Sequence, residues 1–420
     1  MLVVTSNWCI SDGTLATGLP SGCVARFRAE VQRASLRCGF RRDGSYRPVE
    51  AVDVVLAGDT FDWLVSREWT GDVRPWDPGR RAAASRERVA AAALGRADRL
   101  LATLAAWMRR GIEVPAADRR GRPMQAASRL VPVQVAVLSG DRDRWLEDAA
   151  GGGLPPGRTA VVGRCWSDGE VTVRHGEELD PLQAVCGREP TLGESLAVDL
   201  IARFGGVLAD CAAWRPLAGG LIRRLAAGVL VDAPTRLFNW LSDQEGGGRL
   251  PAAGRQELID AWHRSVVLWQ RAARRLSPRG DNGVDLVGRI AEGLAVDDVR
   301  SNAGTNRWLD AVRTGGVAVP PDSAVTVVLG HPSVDAEASA AWRRQVVCLG
   351  PGVSTPLGRL DDLPTPAAVL IRPERGGRQI EQLPIDNGGS RIGCGHDDER
   401  GHGVWLSAAS LGRNGIVDAA

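Results

Sequence analysis

The sequence predicts an α/β fold carrying a helical insertion, and three observations support that expectation. Short apolar runs stop at polar, glycine-bearing loops, as at Asp53–Ala57 before Gly58-Asp59 and Val133–Leu138 before Ser139-Gly140-Asp141. This is the pattern of buried strands whose carboxyl ends carry the chemistry. Apolar residues at three- and four-residue steps, Leu94, Ala97, Leu101, Leu104 and Met108, mark a helical stripe within residues 82–110,. A long block of helical texture, about 190–295, then separates strand-rich flanks.

The elements follow in order. A first strand is expected to end at Ile10, before a turn at Ser11-Asp12-Gly13. After the strands at 53–57 and 133–138, Gly151–Pro156 reads as a loop, and Val171–Arg174 as a short strand running into His175-Gly176,. Thr191-Leu-Gly-Glu194 has the form of a capping box, in which hydroxyl and carboxylate satisfy the first free helical amides,. Leu192, Leu196, Leu200 and Phe204 continue it as one stripe, and Leu258, Trp262, Val266 and Trp269 form another. Strand texture returns at Ala324–Leu329, Val346–Leu349 and Ala367–Ile371. The expected organisation is a core of residues 1–180 and 324–385, a helical insertion or cap over 181–323, and a Gly-rich tail over 386–420.

Composition narrows the function classes. The 420 residues are 44% hydrophobic and 24% charged, ordinary for a globular chain,. The net charge of +2 gives no global field for nucleic acid,. All 52 cationic side chains are Arg, which excludes lysine Schiff bases and a Gly-Lys-Ser phosphate loop,. No Gly-x-Ser-x-Gly element supports serine hydrolase chemistry. Eight Cys are scattered without a Cys-x-x-Cys pair, and neither a signal peptide nor a run long enough to cross a bilayer is seen,. The expected location is the cytoplasm, with reduced thiols.

Five strand-to-loop junctions carry metal-capable residues: Asp12, Gly58-Asp59-Thr-Phe-Asp62, Gly140-Asp141-Arg142-Asp143, His175-Gly176 and Gly330-His331. Glycine beside each ligand allows a sharp turn and close approach. In this order the junctions resemble the calcineurin-like metallophosphoesterase superfamily, whose pattern is Asp-x-His, Gly-Asp-x-x-Asp, Gly-Asn-His-Asp/Glu, a lone His and Gly-His-x-His. The segment from His175 to Asp180 is nearest to the UDP-2,3-diacylglucosamine hydrolase branch. The resemblance covers roughly residues 1–180 and 324–385, and only Gly-Asp-x-x-Asp is matched in full.

The resemblance implies a four-layer αββα sandwich of two mixed sheets and a metal-dependent phosphoester or pyrophosphate hydrolase. It implies Asp59 as the shared metal ligand, with Asp12, Asp141, His175 and His331 as the remaining ligands. Thr14 and Ser333 stand where the family has His, and Arg142 stands where it has the His of Gly-Asn-His. One metal position is therefore expected to be lost, leaving one Mn, Zn or Fe ion on Asp59, Asp141, His175 and His331. Arg142 and Asp143 are the catalytic candidates, with mutual ion pairing as the alternative. A phosphorylated small molecule or lipid-like substrate is implied, and no protein partner can be named. The alternatives are a pseudoenzyme that binds a phosphorylated ligand or a protein, and an unrelated α/β protein with similar loops. Trp63 and Trp145 wall the site or, as the better reading, pack in the core.

Overall fold

The computed structural model describes residues 1–16, 18–146, 161–179, 182–183, 190–226, 252–276, 286–294, 326–330, 345–349, 367–374 and 377–383. Its strands are β1 (Leu2–Ser6), β2 (Ile10–Ser11), β3 (Val52–Ala57), β4 (Phe61–Asp62), β5 (Ile112–Ala117), β6 (Pro123–Val131), β7 (Val133–Leu138) and β8 (Val161–Gly163). They continue as β9 (Cys165–Ser167), β10 (Val171–Arg174), β11 (Thr326–Leu329), β12 (Gln345–Cys348), β13 (Ala367–Glu374) and β14 (Gly377–Gln382). The helices are α1 (Cys23–Cys38), α2 (Arg80–Arg96), α3 (Asp98–Arg110) and α4, which runs as Leu192–Ser195, a π-helical stretch Leu196–Ala202, and Arg203–Asp210. After them come α5 (Arg215–Ala226), α6 (Ala252–Leu276) and α7 (Leu286–Leu294).

The protein is a mixed α/β structure with two mixed sheets. The larger has the order β14-β13-β1-β3-β7-β8, with β1, β3, β7 and β8 parallel and β13 and β14 antiparallel. The smaller has the order β12-β11-β10-β9, parallel through β10, β11 and β12.

Strand side chains alternate between faces, and here each face meets a different core. Val3, Val54, Leu56, Val133, Val135 and Val137 join the helices, while Leu2, Val4, Val55, Ala57, Ala136 and Leu138 meet Val171, Val173 and Val328 of the smaller sheet. Burial on both faces explains why β1, β3 and β7 read as continuous apolar runs rather than alternating ones. The fourth layer expected outside the smaller sheet is not among the elements formed by the described residues.

Helices of the 181–323 region share one core with the larger sheet. Leu196, Leu200, Phe204, Leu258, Trp262, Val266 and Trp269 belong to the same cluster as Val3 and Val54. Phe204 meets Trp262 edge-on, with ring centroids 5.2 Å apart. The capping box at Thr191–Glu194 is present with both reciprocal bonds. No described helix is long and apolar enough to cross a membrane.

Two expectations are corrected. The stripe within 82–110 lies on two helices, α2 and α3, which meet at Ala97, a buried junction with ψ 0°. The first strand ends at Ser6 rather than Ile10, because Asn7 and Cys9 turn to positive φ of 60° and 46°. The chain then crosses to the loop after β3, with Cys9 N–H donating to Asp59 O at 2.9 Å and Ile10 N–H to Thr60 O at 3.1 Å.

Candidate metal centre

Three strands from the two sheets deliver the site. Parallel β3 and β7 end side by side, bringing Asp59 next to Gly140 and Asp141. From the facing sheet, β10 ends at His175. Glycine makes the approach possible. A Cβ at Gly140 would lie 2.7 Å from the Asp59 backbone nitrogen and 2.9 Å from His175 Cδ2, and one at Gly58 would overlap the His175 ring.

Asp59, Asp141 and His175 each aim one ligand atom into a common space, these atoms lying within 4.8 Å of one another. His175 Nε2 is 2.9 Å from Asp141 Oδ1 and 3.4 Å from Asp59 Oδ1. Its Nδ1–H donates to Ala57 O at 2.9 Å. That bond fixes the proton on Nδ1, so Nε2 is the atom facing the two carboxylates. Burial opposes charge on the ring, but Asp59 and Asp141 outweigh it and hold the imidazole pKa well above 6.5,. Two carboxylate oxygens and one oriented imidazole nitrogen make a group that could hold a metal ion,.

The Arg142 side chain is turned to carboxylates. Its guanidinium is buried, donating to Asp62 Oδ2 at 2.9 Å and standing 3.5 Å from Asp59 Oδ2. Burial works against its charge, but Asp62, with Cys9 and Asp59, raises its pKa. Its backbone N–H donates to Asp59 Oδ1 at 3.1 Å. In place of the expected catalytic role, or of a pair with Asp143, it is an internal counter-ion of Asp62 and Asp59. Asp143 is likewise a brace: its carboxylate accepts from Gly140 N–H at 2.7 Å and Phe61 N–H at 3.0 Å, joining the two ligand loops. Burial and the Asp59 charge push its pKa up, and the two amides pull it down.

Asp12 is not brought to the group. Its Oδ1 accepts from Thr14 N–H at 2.9 Å and Thr14 Oγ1 at 2.8 Å, and its Oδ2 from Ser66 Oγ at 2.6 Å. Thr14 therefore serves the same loop rather than an adjacent metal position. His331 and Ser333 lie outside the described residues. Gly330, the residue before His331, donates to Arg174 O at 2.9 Å and accepts from Asn7 Nδ2 at 2.9 Å. Trp63 packs in the core, stacked on Phe61 at 5.8 Å. Trp145 lies partly buried under the Arg144 guanidinium.

The early end of β1 puts Asn7 and Cys9, not Asp12, at the sheet edge. Asn7 Nδ2 also donates to Leu349 O at 3.1 Å, tying β1 to the smaller sheet. Cys9 is partly exposed as a residue, yet its thiol is enclosed, which raises its pKa despite nearby Arg142. The signal in the sequence was Asn7 itself, a residue tolerant of positive φ directly after an apolar run. Comparison with protein-family models, curated proteins and solved structures finds no match.

Proposed function

We propose that this chain is a calcineurin-like metallophosphoesterase, a hydrolase of phosphoesters or pyrophosphates that uses a single divalent transition metal. The four-layer αββα sandwich and a phosphorylated small-molecule or lipid-like substrate belong to this reading. One observation supports it above the rest: Asp59, Asp141 and His175, from three strand ends and two sheets, converge with their ligand atoms within 4.8 Å. A metal bound there would replace the proton that Asp59 and Asp141 favour on His175,.

When bound there, the metal supplies Lewis acidity toward a phosphoryl oxygen and a means of activating water. The chain's own residues do the positioning. Ala57 O holds the His175 tautomer, Arg142 N–H and guanidinium orient Asp59, and Asp143 locks the Gly140 loop against Phe61.

A second reading, a binding protein without turnover, is favoured by the state of Arg142. Its guanidinium is bound to Asp62 and Asp59, so it is not available to meet a phosphate. Metal analysis and phosphodiester hydrolysis after loading with Mn(II), Zn(II) or Co(II) separate the readings. Hydrolysis that is lost on chelation and in His175→Ala supports the hydrolase. One bound metal with background turnover supports the binding protein. A folded chain that takes up no metal refutes the hydrolase.

A further inference from the structure

We propose that Gln183 is the positioning residue of this centre: it holds Asp141 in its ligating orientation and couples that orientation to the first turn of α4. The inference rests on the metal reading above.

The bond chain has one allowed direction. Glu194 N–H donates to Thr191 Oγ1 at 3.0 Å, so the Thr191 hydroxyl hydrogen is free to go onward to Gln183 Oε1 at 2.6 Å. With its oxygen fixed as acceptor, the Gln183 amide turns its nitrogen to Asp141 Oδ2, donating at 2.7 Å. A carboxylate can only accept, so this amide orientation alone satisfies both ends. Asp141 then has Oδ2 held by Gln183 and Oδ1 directed at His175 Nε2, 2.9 Å away. A neutral donor fixes the carboxylate without cancelling the charge that attracts a cation. Outer partners of this kind decide ligand orientation and metal affinity.

Two further contacts bind this chain to α4. Gly193 N–H donates to Leu182 O at 2.9 Å. The Gln183 amide also lies where a Cβ of residue 193 would be, so a larger residue there has to displace that amide. From the Asp141 loop itself, Arg144 pairs with the buried Glu194 at 2.8 Å. Helix start and metal ligand therefore move as one unit. Because linkage is reciprocal, a metal on Asp141 must stabilise the first turn of α4 as much as that turn favours the metal.

The test uses the full chain and Co(II) alone, read by its visible absorption and by amide hydrogen exchange. Gln183→Ala and Gly193→Ala are expected to weaken Co(II) binding by about ten- to a hundredfold and to alter the absorption band. Co(II) should slow exchange at Gly193, Glu194 and Ser195 in the wild type and not in Gln183→Ala. Trp262→Phe, which loses the Trp262 Nε1–H bond to Leu294 O, should lower the urea midpoint and leave Co(II) binding intact. If Gly193→Ala fails to fold, Gln183→Ala decides alone. Wild-type affinity and spectrum in Gln183→Ala overturn the coupling while the metal reading stands. Absence of Co(II) binding by the wild type overturns the metal reading and the coupling with it.

Discussion

Gly58→Ala tests the wedge that holds the site together. Gly58 sits at φ +87°, and a Cβ there would overlap the His175 ring. Left-handed backbone costs a non-glycine residue about 1–2 kcal/mol. Overpacking a close-packed contact adds about 1–3 kcal/mol, for about 2–5 kcal/mol in all. The ring cannot swing aside cheaply, since its side chain is fully enclosed and its Nδ1–H is bound to Ala57 O. The expected result is a lower urea midpoint together with loss of Co(II) binding, because any ring shift moves Nε2 from Asp59 and Asp141. A midpoint and a Co(II) titration both indistinguishable from wild type would refute the claim that Gly58 sets the position of His175.

Three other outcomes follow from the same geometry. Arg142→Met leaves the Asp59 and Asp62 carboxylates buried without their counter-ion, and should cost about 3–5 kcal/mol in urea unfolding; adding Asp62→Asn should restore part of it. Asp143→Ala orphans the buried amides of Gly140 and Phe61, at about 1–3 kcal/mol each, and amide exchange at these two positions should accelerate. Gly95→Ala should raise the unfolding free energy by about 0.5–1 kcal/mol, read as a higher urea midpoint, since Gly95 lies in α2 with nothing within 4 Å of an added Cβ.

What the sequence determined by itself is local. The apolar runs at 53–57, 133–138 and 171–174 became β3, β7 and β10, with Asp59, Asp141 and His175 just past their ends. Strand burial on both faces and the Thr191–Glu194 capping box are likewise short-range patterns. The break of β1 at Ser6 was harder to read, because it depends on a distant partner: Cys9 N–H pairs with Asp59 O, and only the folded sheet supplies that carbonyl. The Asp12 assignment failed for this reason. The role of Arg142 was also a tertiary decision. A guanidinium can face a phosphate or a carboxylate equally well by residue type, and the buried Asp59 and Asp62 beside it chose the second. Gln183 had no motif to mark it. Its partners Asp141 and Thr191 lie 42 residues before it and 8 after it along the chain, and they meet only because the helix start packs against the sheet edge. Periodicity and caps are written in neighbouring residues, whereas a ligand set exists only where strands from two sheets end in the same place.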